Sequence, residues 1–334
     1  MAHTLSGFEQ ATGKIDYTLT NDYMFRALLQ TNEEVLRGLI GALLHLHLEE
    51  IQSVTIENPI VLGAPISNKE FILDIRVLLN NNMVINLEMQ VMDTGNWTDR
   101  SLLYLCRCFD RLQKGQTYDT VLPAIHIGIL DFTLFDDDPQ FYATNKMMNV
   151  KSHKIFNDKF TLNVLSLKQI ARATDEDKLW QIDTWAELFA AKTWRDIKMI
   201  AKNNEILSSA TKSLYQLNAD TLVREQCQAR EDFEKHERTQ RKQLADLKKT
   251  VHEQADTINE LADTINEQAD TINEQADTIN EQADTINEQA DTINEQADTI
   301  NEQADTIIEK DSQIQDLNKE IASLKAELNK IQHN

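Results

Sequence analysis

The chain has 334 residues, a net charge of −22 and three cysteines. That acidity excludes a simple basic DNA-coating surface, three cysteines give no paired disulfide framework, and no stretch approaches the roughly 18 apolar residues of a membrane span. From Arg241 onward, 22 acidic and 8 basic residues carry −14 of the charge, which leaves −8 on residues 1–240.

Residues 1–19 read as a polar, flexible lead-in. No apolar run ahead of a small-residue cleavage site stands there, and the unpaired thiols suit a reducing compartment; a cytoplasmic location is expected. Asn21 can cap a helix that starts at Asp22 and carries Phe25, Leu28 and Leu29 inward. Thr31 to Glu34 fits a capping box for a second helix with Val35, Leu36, Leu39, Ile40, Leu43 and Leu44 inside. His45 and His47, two apart, make a poor metal pair and read as surface or end-of-helix residues. Ile51 to Glu57 alternates as a strand, and Asn58-Pro59 ends it.

The stretch EFILDIRVLLNNNMVINLEMQV then reads as two strands, Glu70 to Leu79 and Met83 to Val91, joined by an Asn-rich turn. If Asn80 to Asn82 form a three-residue loop, Leu79 pairs with Met83 and Asp74 lies opposite Glu88, with Glu88 and Gln90 on one face. Facing carboxylates repel, by on the order of 0.2–1 kcal/mol even before burial, and a hard divalent cation would convert that repulsion into a site. A two-residue turn instead sends Asp74 and Glu88 to opposite faces and leaves an acidic, solvated sheet. Spacing alone leaves both open. Asn86 shares the face of Glu88 and either extends such a site or stands at the wet end of the sheet.

Asp93 to Trp97 reads as a polar turn. From Asp99 the period becomes helical, with Leu102, Leu103, Leu105, Cys106, Phe109 and Leu112 as the apolar face and Lys114 and Gly115 at the end. Cys106 and Cys108 lack a second ligand pair and read as core thiols. Arg100, Tyr104, Arg107 and Arg111 form a row on this helix, either an ordinary solvated face or a phosphate contact beside the acidic pair. Val121 to Phe132 is a buried strand in which His126 reads as a core histidine. Asp136 to Asp138 sit in a loop, and residues 141–156 and 160–167 add one or two strands. From Glu176 the pattern is helical, with Trp180, Trp185, Leu188, Phe189 and Trp194 packing. Arg224, Arg230, Arg238 and Arg241 alternate with acids as a solvated face. This order makes an α/β domain around a mixed sheet.

The motif order resembles the Rpn family of recombination-promoting nucleases and transposases within the PD-(D/E)XK nuclease superfamily. The matching stretches are NDYMF at 21–25, EVLRGLIGALL at 34–44, ILDIRV at 72–77 and LEMQ at 87–90. Arg100 and Tyr104 in R-x-x-x-Y, Gln113 and Gly115 in Q-x-G, Tyr118, and P-x-I-x-I-G-I-L-D-F at 123–132 follow. The resemblance covers about residues 20 to 235. It implies a restriction-endonuclease-like core, a mixed central sheet flanked by helices, and Mg2+-dependent cleavage of DNA phosphodiesters, with Mn2+ as the alternative ion. Carried over by position, Asp74 and Glu88 are the implied metal ligands, and Gln90 completes the catalytic set where the superfamily most often has lysine. Asp22 is implied as a supporting acid. Glutamine can orient water but cannot supply the positive charge of lysine; Arg100, Arg107 or Lys114 is expected to supply it.

The last third is a repeat. From Ala262 to Gln303 the heptad ADTINEQ occurs six times unchanged, and isoleucine recurs every seven residues from Ile258 to Ile314, in phase with Leu244, Val251, Ile321 and Leu328. With isoleucine at a, position d holds leucine or isoleucine at the two ends (Leu247, Leu261, Leu317, Leu324, Ile331) and glutamine through the middle; with alanine at a, the middle fits and the C-terminal end does not. Both frames suit a homo-oligomeric coiled coil with a weak centre. A single such helix is marginal, and the other reading is a solvated, partly helical spacer. The expected organisation is therefore a flexible 1–19, a nuclease-like domain over 20–170, a helical extension over 171–240 and a coiled coil over 241–334. The expected function is a Mg2+-dependent DNA endonuclease, away from any membrane, oligomerised by its repeats. The alternatives are a catalytically silent nuclease fold that binds DNA or protein, and a structural protein whose head is a cap.

Overall fold

A computed structural model describes residues 7–60, 62 and 74–332, and residues 70–73 of the expected first hairpin strand lie outside them. The chain divides into two compact units, Met1–Gln240 and Arg241–Asn334.

In the first unit, α1 (Asp22–Thr31) opens as expected, the Asn21 side chain accepting from the Met24 amide at 3.2 Å. The cap of α2 (Glu33–Leu44) differs from the expected box: Asn32, not Thr31, accepts from the amide three residues on. Thr31, the last residue of α1, has turned its hydroxyl back to the Ala27 carbonyl of its own helix, the bond threonine makes within helices. His45 ends α2 in the left-handed region and stacks on Trp180 with ring centroids 5.2 Å apart.

Among the described residues β1 (Val54–Ile56), β2 (Ile75–Leu79), β3 (Met83–Gln90), β4 (Ala124–Leu130), β5 (Tyr142–Lys146) and β6 (Phe160–Ser166) form one mixed sheet in the order β1-β2-β3-β4-β6-β5. β2 runs antiparallel to both β1 and β3, β3 to β4 and β4 to β6 are parallel, and β5 returns antiparallel at the edge. The hairpin turn is the three-residue one. Asn80 and Asn81 both take positive φ, which asparagine tolerates better than most residues. The Asn80 side chain binds the amides of Gln52 and Ser53 and the carbonyl of Glu50, so the turn is also tied to the approach to β1. Leu79 therefore faces Met83 and Ile75 faces Leu87.

The alternation of each strand sorts the two faces. Ile75, Val77, Ile85, Leu87, Ile127 and Ile129 enter the main core with α1, α2 and the later helices. The other face is covered by α3 (Trp97–Phe109), through Leu105 and Cys108 in one small cluster and Trp97 in another. This helix starts two residues earlier and ends sooner than expected. Its buried face is Trp97, Ser101, Leu105 and Cys108, whereas Leu102 and Leu103 are 48% and 52% exposed. Lys114 and Gly115 lie in a turn beyond its end, both exposed. The close seat of α3 depends on Gly128: a Cβ there would meet Trp97 Cζ2 at 2.0 Å.

Four helices follow, α4 (Asp175–Leu179), α5 (Ile182–Ala190), α6 (Trp194–Ile200) and α7 (Glu205–Ala219). Their Trp185, Leu188, Phe189, Ile197 and Leu214 join the same core as α1 and α2, so residues 171–240 complete the globular unit instead of extending it. The expected flexible lead-in also packs: Phe8, Ile15, Tyr17 and Leu19 are buried, and Ile15 bonds the Lys192 carbonyl. A final helix, α8, runs over Thr221–Gln332. In the second unit the described side chains are exposed throughout, the seventh-residue isoleucines included. No helix among the described residues is long and apolar enough to cross a membrane.

Candidate functional site

The site is built where β2 begins and β3 ends. Asp74 stands one residue before β2, where the β2–β3 register continues toward Glu88, and both are buried, 4% and 3% exposed. On the other side Glu88 faces Gly128 of β4 and Asn86 faces His126, on the sheet face covered by α3. Asp74 is held from behind. The Arg26 guanidinium of α1 donates to the carbonyls of Asp74 and Asn58, the Asn58 carboxamide donates to the same Asp74 carbonyl at 3.0 Å, and its oxygen accepts from the Arg76 amide at 2.8 Å. Two residues that pattern reasoning passed over, Arg26 and Asn58, thus set the backbone of the first carboxylate. Only the fold brings them there.

Glu88 has unequal oxygens. Arg100 of α3 forms an ion pair with Oε1. Among the described residues Oε2, buried, has no hydrogen-bond partner; it lies 3.8 Å from His126 Nε2, which has none either. The other His126 nitrogen lies 3.0 Å from the Asn86 carboxamide, and its ring stacks against Tyr104 and tilts against Trp97. The histidine is a core residue, as expected, and also the neighbour of a site carboxylate. Asn86 belongs to this buried array and not to the sheet's wet end.

Electrostatics follow from burial. Burial pushes Glu88 up to about 7 against the pull of Arg100, with Asp74 and Asp22 adding repulsion. Asp74 is raised as well, by burial first, opposed by Arg76 and then Arg26. His126 is pushed down to about 3 by burial and by Arg100, which leaves the imidazole neutral. Asp22 rises to about 6 through burial, countered by Arg230. Arg230 holds both Asp22 oxygens, at 2.9 and 2.7 Å, a bidentate pair. Arg230 is therefore not part of a solvated face, and Asp22 acts on Glu88 through its charge.

The remaining expected residues separate. Gln90 ends β3 with its Nε2 donating to the Met92 carbonyl at 2.8 Å. Arg107 is exposed and lies over the Tyr104 ring, 5.6 Å from its centroid, with Arg100 5.4 Å from the same centroid. Arg111, the last of the row, pairs with Glu57 at 2.7 Å.

Among the described residues no group of three or more His, Cys, Asp or Glu side chains is arranged to hold a metal ion. Two neighbouring buried carboxylates nevertheless fit a hard divalent cation, which can take one or two carboxylates and complete its shell from water and substrate phosphate.

With this geometry in place, comparison of the sequence with known families matches residues 19–245 to the PD-(D/E)XK nuclease family transposases. The chain belongs to that family. Comparison with curated proteins and with solved structures gave no significant match. A PD-(D/E)XK family chain implies a nuclease-like hydrolase with a DNA substrate, and such nucleases typically use divalent metal ions. The mixed sheet flanked by helices is consistent with that fold.

Proposed function

We propose that residues 1–240 form a Mg2+-dependent DNA endonuclease of the recombination-promoting, transposase-like type, with Asp74 and Glu88 as the metal ligands. One observation carries this reading: Asp74, just before β2, and Glu88 on β3 are both buried where the β2–β3 register continues, and the charge of Asp74 acts on Glu88. Among the described residues one Glu88 oxygen has no hydrogen-bond partner. A buried pair of like charges is unfavourable unless a cation or a proton relieves it. When bound, a divalent cation there supplies polarisation of a phosphate oxygen and acidification of a water molecule.

The chain's own groups do the rest. Arg26 and Asn58 hold the Asp74 backbone in register, so the carboxylate is preorganised. Arg100 keeps Glu88 oriented through one oxygen and favours its charged form. Gln90, with its amide nitrogen committed to Met92, offers its carbonyl oxygen to a water. Asp22 supports the site at longer range and is not a ligand. Trp97, packed across Gly128 beside Glu88, excludes solvent from that side.

The second unit serves self-association in this proposal. An exposed isoleucine row at seven-residue spacing on a helix that is marginal alone suits association of identical helices, and cutting both strands requires two sites. A second reading, a catalytically silent fold that binds DNA or protein, draws on the Arg100–Glu88 ion pair and on glutamine at position 90. Plasmid nicking with Mg2+ separates the two. Wild-type protein should cut, and Asp74→Ala and Glu88→Ala should each lose about 10²-fold or more. Equal residual nicking by all three proteins would mark a contaminant and end the enzymatic reading.

A further inference from the structure

The proposed nuclease reaction builds negative charge on the phosphate, and position 90 supplies no cation for it. Among the described residues, the other positive groups near the two carboxylates are either engaged or stand away from them. Arg100 is bound to Glu88 and Arg26 to two backbone carbonyls. Arg111 is paired with Glu57, and Arg107 lies outside over Tyr104. Lys114 sits in an exposed turn past the end of α3.

Arg76 differs from all of these. It lies on β2 two residues after Asp74, so both point to the face that carries Glu88, and it stands directly opposite Asn86. It is half-buried between Asp74 and Cys108: of the charges acting on each of those residues, that of Arg76 is the largest. Its Nε is buried and has no hydrogen-bond partner, and among the described residues no carboxylate comes within ion-pair distance of it. A half-buried guanidinium that neighbours Asp74 without closing an ion pair keeps its donors for a planar, doubly accepting oxyanion such as phosphate.

We propose that Arg76 is the phosphate-binding cation of this site, a catalytic residue that supplies from β2 the charge that glutamine at position 90 cannot. This rests on the nuclease reading above and names the group that recognises its substrate. The guanidinium donates hydrogen bonds to non-bridging oxygens of the scissile phosphate, more strongly as charge accumulates there than in the ground state.

The test measures single-turnover cleavage of a labelled duplex in Mg2+ and, separately, duplex affinity by fluorescence anisotropy, on full-length protein. Arg76→Ala should lower the cleavage rate about 10²–10³-fold with affinity changed less than about tenfold. Arg76→Lys should fall between, because it keeps the charge and loses the fork. Arg76→Met, which keeps the packing stem, should match Arg76→Ala in rate and the wild type in circular dichroism and melting. Added guanidinium ion should restore part of the Arg76→Ala rate and none of any Asp74→Ala deficit. Wild-type cleavage by Arg76→Met, or a rate loss fully accounted for by lost affinity, would overturn the inference and leave the nuclease reading intact. A wild-type protein that does not cut removes that reading and this inference together.

Discussion

Glu88 combines three properties that disfavour its charged form: deep burial, a neighbouring carboxylate and, among the described residues, an oxygen with no hydrogen-bond partner. Its pKa, lifted from 4.5 to about 7, sets a linkage with a definite sign. The folded state holds a proton that the unfolded chain has released, so the stabilisation is full below about pH 4.5 and is lost as pH rises through about 7. Glu88→Gln has no such proton to lose. In chelator, urea denaturation should show its stability rising relative to wild type by on the order of 2–3 kcal/mol between about pH 5 and about pH 8. A pH-independent difference would mean that Glu88 is ionised throughout. At saturating Mg2+ the wild type should recover most of the gap at the higher pH, through binding to the native state alone.

At this scale the sequence was half legible. Alternation and a three-asparagine turn offered a register that joins Asp74 to Glu88 and a second that parts them, because pleat depends on nearest neighbours and the turn length does not show; the first is the register of β2 and β3. The commitments of the cations were not readable: Arg26, Arg100 and Arg230 find their partners 48, 12 and 208 positions away. An arginine looks the same in the sequence whether it is spent on a carbonyl, paired with an acid or left for a substrate.

Among the elements, α3 matters most, because it delivers Arg100 and closes the site with Trp97. Its seat on the sheet needs the missing side chain of Gly128. Gly128→Ala should lower stability by about 1–3 kcal/mol and reduce cleavage with it, since the displaced indole borders Glu88; Trp97→Ala with Gly128→Ala should be less damaging than the two single losses added together. Leucines at 102 and 103 suggested the wrong burial for this helix. Periodicity identifies an amphipathic helix well, but which 100° of it meets the sheet depends on a neighbouring strand some twenty residues later in the chain. The cap of α2 makes a similar point. Asn32 both receives the Val35 amide and donates to Ser209 and Ser213, so Asn32→Ala should lower the thermal midpoint through a loss of about 1–2 kcal/mol, while Glu34→Ala, outside the cap, should leave it within about half a kcal/mol.

For the whole molecule, the boundary at Gln240 separates a unit with a buried core from one without. The change in composition near that point was plain in the sequence; the absence of a break at 170 was not, because the helices of 171–240 bury their tryptophans against the same core as α1. The proposed role of the repeats has a direct measure. Light scattering on the full chain should give a multiple of the single-chain mass, and on a chain ending at Gln240 the mass of one copy. A full-length monomer that stays helical at micromolar concentration would refute self-association. The middle heptads are identical, so sliding by seven residues leaves their contacts unchanged, and the leucine-bearing ends must set the alignment.

One link inside the first unit has wider reach. Asp22 and Arg26 sit one turn apart on α1, the first gripped by Arg230 and the second gripping the Asp74 carbonyl. A helix turn is stiff, so a disturbance at one of these anchors is conveyed to the other. A map of damaging substitutions should therefore extend from the cutting centre to the base of the last helix, and a defect at Arg230 would report lost alignment and not lost contact with nucleic acid.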